Sequence, residues 1–283
     1  MKLLSYLGWG IIHERQGIPC QDVIGYEACE NGNMIAVLAD GASGAMYARE
    51  AAQANVDGVL DYFREQSAAR FRELEPEKAV GAVVDACLMR LRQTARDLGG
   101  CRRADLCATV MFALWDGVVL SLGHLGDGMI LVLDHHGNES LFSPPELLTE
   151  NSRGTWFTIS PGAALHLRLY HLDAERSGGF LMTSDGAYMM LRDRGGADRA
   201  AGVLVELVRQ NRLNTCAELA ELFYQMEPKS EERLDDWSFW IGCPGEKAFS
   251  MERCPLISML REECERLSQT TEVNGFDHPA RRS

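Results

Sequence analysis

The stretch MIAVLADGASG, residues 34–44, decides the fold of this chain of 283 residues. Its apolar run is typical of a strand buried in a sheet, and the run ends at Asp40 in a turn that contains Gly41 and Gly44. From Gly44 onward, apolar residues recur at helical spacing over residues 44–65. The sequence therefore predicts a strand that carries a carboxylate to a turn just ahead of a long helix.

Aspartates recur at other strand-to-turn boundaries in a fixed order. CQD ends at Asp22, LGDG contains Asp127, TSDG contains Asp185, and LDDWS contains Asp235 and Asp236. Most of these segments follow apolar, β-rich runs, such as VVLSLGHLGD and GGFLMTSD. Each DG or SDG dipeptide alone is an ordinary turn former, but carboxylates at several strand ends can converge on one spot. Hard divalent cations bind such clusters of oxygens, so the ordered set predicts a metal site.

Around these motifs, strand-like and helix-like patterns succeed one another in groups, which fits two sheets with helices on the outside. The predicted strands cover residues 3–12, 23–29, 33–39, 107–114, 117–124, 129–134, 178–184 and 236–242. The predicted helices cover residues 44–65, a stretch from Pro76 to the Gly99–Gly100 pair, and residues near 198–211 and 216–227.

Two segments fit this pattern poorly. Residues 143–177 carry paired prolines and several glycines, and they predict a mobile insertion with short strands around Trp156 and Leu167 that acts as a flap over the site. Residues 244–283 follow the last predicted strand, and residues 255–268 among them have helical spacing. We therefore expect one large domain over residues 1–243 and a partly helical C-terminal extension over residues 244–283.

The composition restricts the function classes. The hydrophobic content of 46% and charged content of 24% are typical of a globular protein. The formal net charge of -13, from 41 acidic and 28 basic residues, argues against a nucleic-acid surface, which needs a basic stripe. Bound metal could still supply local positive charge for a phosphate group.

The cysteines and the apolar segments bear on location. The nine cysteines are scattered, odd in number and contain no CxxC pair, which argues against zinc and disulfide frameworks. Reduced cysteines are typical of the cytoplasm. The N-terminal MKLLSYLGWGII lacks a cleavage pattern of small residues, and no stretch is long and apolar enough to cross a bilayer. We expect a cytoplasmic protein without membrane contact.

Taken together, the motifs resemble those of the metal-dependent protein phosphatases of the 2C type, over roughly residues 5–242. ADGASG resembles the family's ADGxGG turn, and CATVMFALWDGVVLSLGHLGDGMILVL resembles its TT-V and HVGDSR strand pair. FLMTSDGAYMML is similar to FLLxSDGLWD, and LDDWSFWI to DDxTxxxV. The G-I-P-C-Q-D and G-D-G segments are most similar to a bacterial branch. The resemblance implies an α+β fold, a four-layer αββα sandwich of two antiparallel sheets with helices outside.

The same resemblance implies a set of metal ligands. Asp40 would bridge two Mn²⁺ or Mg²⁺ ions, and the carbonyl of Gly41 would bind one of them. Asp185 and Asp235 would complete the shell of the other ion. Asp127 matches the aspartate that, with the SDG aspartate, can hold a weaker third ion. Two ions with an optional third are therefore expected.

The resemblance also implies catalytic groups and shows departures. Asp22 matches an aspartate that acts through water on the metal, while Gln21 replaces the preceding glutamate and so removes one negative charge. Ala42 stands where many members have a histidine. The arginine that grips the substrate phosphate has no match. His13 and Arg15 are the nearest candidates, and we rank His13 first because a strand end would direct it toward the same rim.

Three functions are compatible with these residues. The first is a phosphatase that hydrolyses phosphoserine and phosphothreonine in proteins with a metal-activated water and opposes a cognate bacterial kinase. The second is a pseudophosphatase, a partner-binding regulatory module, which Gln21, Ala42 and the missing arginine favour. The retained aspartates favour catalysis, because a scaffold has no chemical need for them. The third is a small-molecule phosphatase.

Overall fold

The structure is a computed structural model that describes residues 1–29, 33–149, 154–192, 197–225 and 235–243. The predicted C-terminal extension, with the helical spacing at residues 255–268, lies outside the described residues. The described residues form ten strands and seven α-helices.

The strands are Lys2–Gly8 (β1), Asp22–Ala28 (β2), Met34–Asp40 (β3), Val110–Trp115 (β4), Val119–Leu125 (β5), Met129–Asp134 (β6), Glu139–Ser143 (β7), Arg168–Asp173 (β8), Ser177–Thr183 (β9) and Trp237–Cys243 (β10). The helices are Ile11–Gln16 (α1), Ala48–Glu65 (α2), Ala68–Arg72 (α3), Pro76–Asp97 (α4), Asp185–Arg192 (α5), Ala197–Arg209 (α6) and Cys216–Gln225 (α7).

The strands form two five-stranded sheets in which every neighbouring pair is antiparallel. The first sheet has the order β1-β10-β9-β6-β7 and the second has the order β2-β3-β4-β5-β8. Helices α2 and α4 pack on the second sheet, and α5, α6 and α7 pack on the first. A third core lies between the sheets. The predicted α+β sandwich of two antiparallel sheets with helices outside is confirmed.

Alternation along β3 produces these layers. Ile35 and Val37 point toward the helices, whereas Ala36 and Leu38 point toward the other sheet, and all of them are buried. The continuous apolar run of β3 follows from this burial on both faces. Trp240 of β10 joins the layers, because its indole Nε1 donates a hydrogen bond of 2.9 Å to the carbonyl of Val37.

The prediction of one strand over residues 3–12 is wrong in its second half. The strand ends at Gly8, and the chain then forms helix α1, which ends at Gly17 with a left-handed φ of 66°. Contacts with a distant part of the chain decide this change, because Gly10 and His13 both donate hydrogen bonds to the buried carboxylate of Asp236. Local alternation cannot report such contacts.

The remaining differences are smaller. Helix α2 begins at Ala48 rather than at residue 44, because the preceding turn is tied to the segment before β4, with Tyr47 N donating to Asp105 O. Strand β7 and helices α3 and α5 were not among the predicted elements. In the described part of segment 143–177, strand structure includes the edge strand β8 and a bridge between Leu147 and Thr155. Its role as a flap stays a prediction.

Asn55 links a helix to the sheet beneath the turn after β3. Its side chain is fully buried in α2, and its Nδ2 donates to the carbonyls of Ala108 at 3.2 Å and Thr109 at 3.0 Å. Its Oδ1 accepts a hydrogen bond of 2.9 Å from Thr158 Oγ1. Both polar atoms of this buried amide therefore have hydrogen-bond partners, which avoids the free-energy cost of burying them unpaired.

We expect Asn55→Ala to lower the free energy of unfolding by about 1–3 kcal/mol, because it leaves buried groups without their partner. The matched control is Gln53→Ala on the same helix. Its exposed amide donates to Asp57, and its loss should change the value by less than about 0.5 kcal/mol. Urea denaturation of both variants measures the difference. Equal losses would contradict this account of Asn55.

Candidate metal centre

Asp40 is the last residue of β3, and its main chain is fixed on both sides. Its N–H donates to Thr109 Oγ1 at 3.0 Å, and its carbonyl accepts from Thr109 N at 2.8 Å. The next residue, Gly41, donates from its N–H to the carbonyl of Gln21 at 3.3 Å. The predicted bridging carboxylate therefore sits at a junction that hydrogen bonds hold from two neighbouring segments.

Asp22 lies directly opposite Asp40. The β2–β3 register pairs these two residues, and opposite residues of antiparallel strands project from the same face of the sheet. Asp22 is 1% exposed. Two carboxylates are thus held side by side at the end of one strand pair, which is unfavourable unless a cation lies close by.

Asp127 occupies the turn between β5 and β6. The preceding Gly126 has a φ of 129°, and a Cβ there would collide with the side chain of Thr109. Only glycine allows this turn to approach so closely the residue that anchors Asp40. The GDG spelling of the turn therefore follows from its packing beside the end of β3.

Asp185 and Asp235 come from the first sheet. Asp185 begins α5 directly after β9, and Asp235 precedes β10. A pair of serines joins the two segments, because Ser184 N donates to Ser238 O and Ser238 N donates to Ser184 Oγ, each at 2.9 Å. The two aspartates are therefore brought together by neighbouring strands of one sheet.

The structure brings most of the predicted ligands together. Carboxylate oxygens of Asp40, Asp127 and Asp185 all lie within 4.8 Å of one another, so residues from both sheets meet at one point. Asp235 lies near enough for its charge to raise the pKa of both Asp40 and Asp127. Atoms of Asp235 also form a second group with His13 and Asp236 within the same distance of one another.

The electrostatics of this cluster are unfavourable without a cation. Burial, and then the charges of Asp22 and Asp185, raise the pKa of Asp40 well above its usual value. Burial raises the pKa of Asp22 to about 7, and burial together with Asp185 raises the pKa of Asp127 to about 7. The pKa values of Asp185 and Asp235 are also raised, chiefly by loss of solvation. Within the described residues, no ion pair neutralises these five carboxylates.

Unpartnered oxygens complete the case for a hard divalent cation. In the described part of the chain, Oδ2 of Asp22 and Oε1 of Gln21 are buried without a hydrogen-bond partner. Buried polar atoms normally have a partner, so these two call for water or an ion. The donor set of carboxylate and amide oxygens suits Mg²⁺ or Mn²⁺ and does not resemble a zinc site.

The remaining predicted site residues lie at different depths. His13 lies on helix α1, so the prediction that a strand end directs it toward the rim of the site is wrong. It is 7% exposed, and its Nδ1 lies 2.8 Å from Oδ2 of Asp236. Arg15, on the same helix, is exposed. Ala42 lies in the turn after Asp40 and donates from its N–H to the carbonyl of Cys107.

Sequence reasoning missed Arg49. This exposed residue lies in the first turn of α2, and its guanidinium donates to the carbonyl of Cys20, one residue ahead of Gln21. The signal that could have found it is its place in the helix that directly follows the ADGASG turn. It is a cation held against the segment that carries Asp22.

Comparison with known families now identifies the class. Residues 9–223 match the family described as Protein phosphatase 2C, and the chain belongs to this family. The family is one of phosphoprotein phosphatases. No curated protein sequence matches the chain.

Solved structures agree with this fold. The chain is similar to a bacterial serine phosphatase at 12% identity, with a TM-score of 0.61 over 90% of this chain and 100% of that chain. It is similar to the S. agalactiae serine/threonine phosphatase at 16% identity, with a TM-score of 0.60 over 85% and 98%. It is also similar to RsbX in complex with magnesium, at 14% identity and a TM-score of 0.54 over 85% and 94%.

In the helices that the structure describes, none has the length and apolar character needed to span a membrane. The seven described cysteines are all free thiols.

The raised pKa values of Asp22 and Asp127 predict that the metal-free protein loses stability as pH rises from about 4 to about 7.5, most clearly above about pH 6.5. In the folded chain Asp22 and Asp127 keep a proton up to about pH 7, whereas an unfolded aspartate loses it near about pH 3.9. The folded state therefore binds more protons, and stability falls as pH rises through 7. Buried His124 and His171, whose pKa values are lowered, act in the opposite direction, but only below about pH 6.5.

Thermal unfolding in EDTA across this pH range measures the effect. We expect Tm to fall with rising pH, and the fall to be smaller in Asp127→Asn, which cannot ionise. Saturating Mg²⁺ should abolish most of the fall because the cation compensates the carboxylates. A flat Tm in EDTA would show that the carboxylates are not held as close together as described.

Proposed function

We propose that the chain is a Mg²⁺- or Mn²⁺-dependent serine/threonine protein phosphatase. The observation that supports it best is the meeting of Asp40, Asp127 and Asp185 within 4.8 Å, on the segments that resemble the family's metal-binding motifs. The magnesium complex of RsbX supports the choice of ion. The serine and serine/threonine phosphatases among the similar structures support the substrate class.

In this proposal the ligands keep the roles that the resemblance implies. Asp40, the carbonyl of Gly41, Asp185 and Asp235 would hold two ions. Asp127 together with Asp185 would hold a weaker third. When bound, such ions polarise phosphate oxygens and lower the pKa of water to near neutrality.

The protein's own groups then orient the reactants. Asp22 is buried opposite Asp40, and its Oδ2 has no hydrogen-bond partner among the described residues, so we assign it the positioning of the attacking water. Gln21 offers a neutral amide oxygen at the neighbouring position, also without a partner in the described residues. One negative charge fewer lowers the affinity of the second ion.

Arg49 is the residue to which we assign the substrate phosphate. Its exposed guanidinium contacts the main chain of Cys20 and therefore lies beside the Gln21–Asp22 segment. A guanidinium has five donors in a planar fork that matches phosphate geometry, and the contact with Cys20 uses only part of them. His13 is buried against Asp236 and is poorly placed for the same task.

Hydrolysis of p-nitrophenyl phosphate tests the proposal directly. We expect activity that requires Mn²⁺ or Mg²⁺ and falls at least about 100-fold in Asp40→Asn and Asp185→Asn, because each ion contributes several kcal/mol to transition-state stabilisation. Asp57→Asn, at a half-buried position on α2 whose carboxylate accepts a hydrogen bond from Gln53, is the control and should retain full activity. Undiminished hydrolysis by Asp40→Asn would contradict the metal mechanism.

For Arg49→Ala we expect KM for a phosphorylated substrate to rise by about tenfold, since a hydrogen bond to a charged group contributes about 1.5–3 kcal/mol. The control is Arg64→Ala at the opposite end of α2, where the guanidinium pairs with Glu27 and Asp61. Steady-state kinetics with a phosphoserine peptide separate KM from kcat. An unchanged KM would remove Arg49 from the site.

The second candidate function is a pseudophosphatase that binds a partner. Gln21, Ala42 and the burial of His13 support it. A folded preparation that hydrolyses no substrate with any divalent ion would favour this module. The third candidate, a small-molecule phosphatase, is separated by comparing phosphopeptides with nucleotides and sugar phosphates as substrates.

The partners follow from the same proposal. A phosphoserine or phosphothreonine protein is the substrate, and a cognate kinase supplies it. The acidic net charge supports the expectation of no nucleic-acid partner. The free thiols of the described cysteines support a cytoplasmic location.

A further inference from the structure

The carboxylate of Asp236 is buried, and both of its oxygens accept hydrogen bonds. It is 2% exposed, its Oδ1 accepts from Gly10 N at 2.7 Å, and its Oδ2 accepts from Gln21 N at 2.5 Å and from His13 Nδ1 at 2.8 Å. A carboxylate accepts hydrogen bonds, so Nδ1 of the imidazole carries the hydrogen. Although His13, Asp235 and Asp236 lie near one another, this pattern belongs to a hydrogen-bonded anchor rather than to a separate metal site.

Close packing fixes the main chain around the same residue. A Cβ on Gly10 would collide with the backbone of Asp235, and a Cβ on Gly186 would collide with the carbonyl of Asp236. The main chain of Asp235 and Asp236 is thus packed between the N-terminal segment and the start of α5, while the side chain of Asp235 is exposed. Asp236 N also donates to Oδ1 of Asp235 at 2.9 Å, which orients the neighbouring carboxylate.

Asp236 connects two parts of the proposed metal centre with helix α1. Through Gln21 N it holds the segment that carries Asp22, and through its own main chain it holds Asp235. His13 completes the arrangement from helix α1. Its imidazole is buried and engaged, so it cannot approach a substrate while the hydrogen bond to Asp236 persists.

We propose that His13 and Asp236 form a positioning pair that sets Asp235 and the Gln21–Asp22 segment for metal binding. This inference rests on the proposed metal centre and assigns His13 a role through Asp236 instead of a contact with phosphate. Hydrogen-bond partners that orient the ligands are a common feature of metal sites, and their loss costs about 10–100-fold in metal affinity.

Measurement of Mn²⁺ binding to the full chain tests the pair. Calorimetry and the electron paramagnetic resonance signal of free Mn²⁺ both give the affinity. We expect His13→Ala to weaken binding by about 10–100-fold. His13→Asn should bind within about threefold of the unmodified chain, because its amide nitrogen reaches the position of Nδ1. The control His135→Ala, in the turn between β6 and β7, should bind Mn²⁺ normally.

His13→Gln provides a second comparison if His13→Ala does not fold. Its amide nitrogen reaches the position of Nε2 rather than Nδ1, so it should bind Mn²⁺ more weakly than His13→Asn. Equal affinity of the two amide variants would overturn the proposal. Unchanged Mn²⁺ affinity in His13→Ala would also overturn the proposal, even if the variant had a lower Tm or a lower kcat at saturating metal.

The same measurements separate this inference from the proposed function. If the unmodified chain binds Mn²⁺ but hydrolyses no phosphomonoester, the phosphatase proposal fails while the His13 series still decides the pair. If the unmodified chain binds neither Mn²⁺ nor Mg²⁺, both proposals are overturned.

Discussion

The mutual repulsion of clustered carboxylates is the constraint on which the rest of this structure depends. Asp22, Asp40, Asp127, Asp185 and Asp235 are held near one another, although the charges of neighbouring carboxylates raise the pKa values of Asp22, Asp40, Asp127 and Asp235. The fold can hold them only because each lies at the end of an element whose packing is fixed elsewhere. Two sheets with separate helical layers supply that packing, and the charged ends meet where the sheets adjoin.

Uncharged side chains support the main chain beside Asp40, Asp185 and Asp235. Thr109, just before β4, holds the end of β3, and the Ser184–Ser238 pair holds the ends of β9 and β10 together. Neutral hydrogen bonds serve here because a lysine or arginine would compete with the cation for the same carboxylates. The cationic side chain of Arg49 accordingly contacts a main-chain carbonyl, and His13 contacts Asp236.

Local pattern was sufficient to predict the strands that lead to Asp40, Asp127 and Asp185, because apolar runs report burial directly. It predicted a turn at Asp185, where the structure has the start of helix α5. It failed where distant contacts decide. Helix α1 replaces the second half of a predicted strand because its hydrogen-bonding partner, Asp236, is far away in sequence. Edge strand β8 has little pattern of its own and is defined by pairing with β5. The site of Arg49 depends on a side-chain reach that no spacing reports.

The pairing of β1 with β10 also bears on biosynthesis. These strands align Lys2 with Cys243, so β1 is synthesised long before the strand that pairs with it. A nascent chain released as far as α7 already displays four of the five clustered aspartates but lacks the DDWS segment. Such an intermediate has an open sheet edge at β9 and lacks Asp235 of the proposed metal centre. Under the proposed function, translation has to pass β10 before the chain can bind its ions and become active.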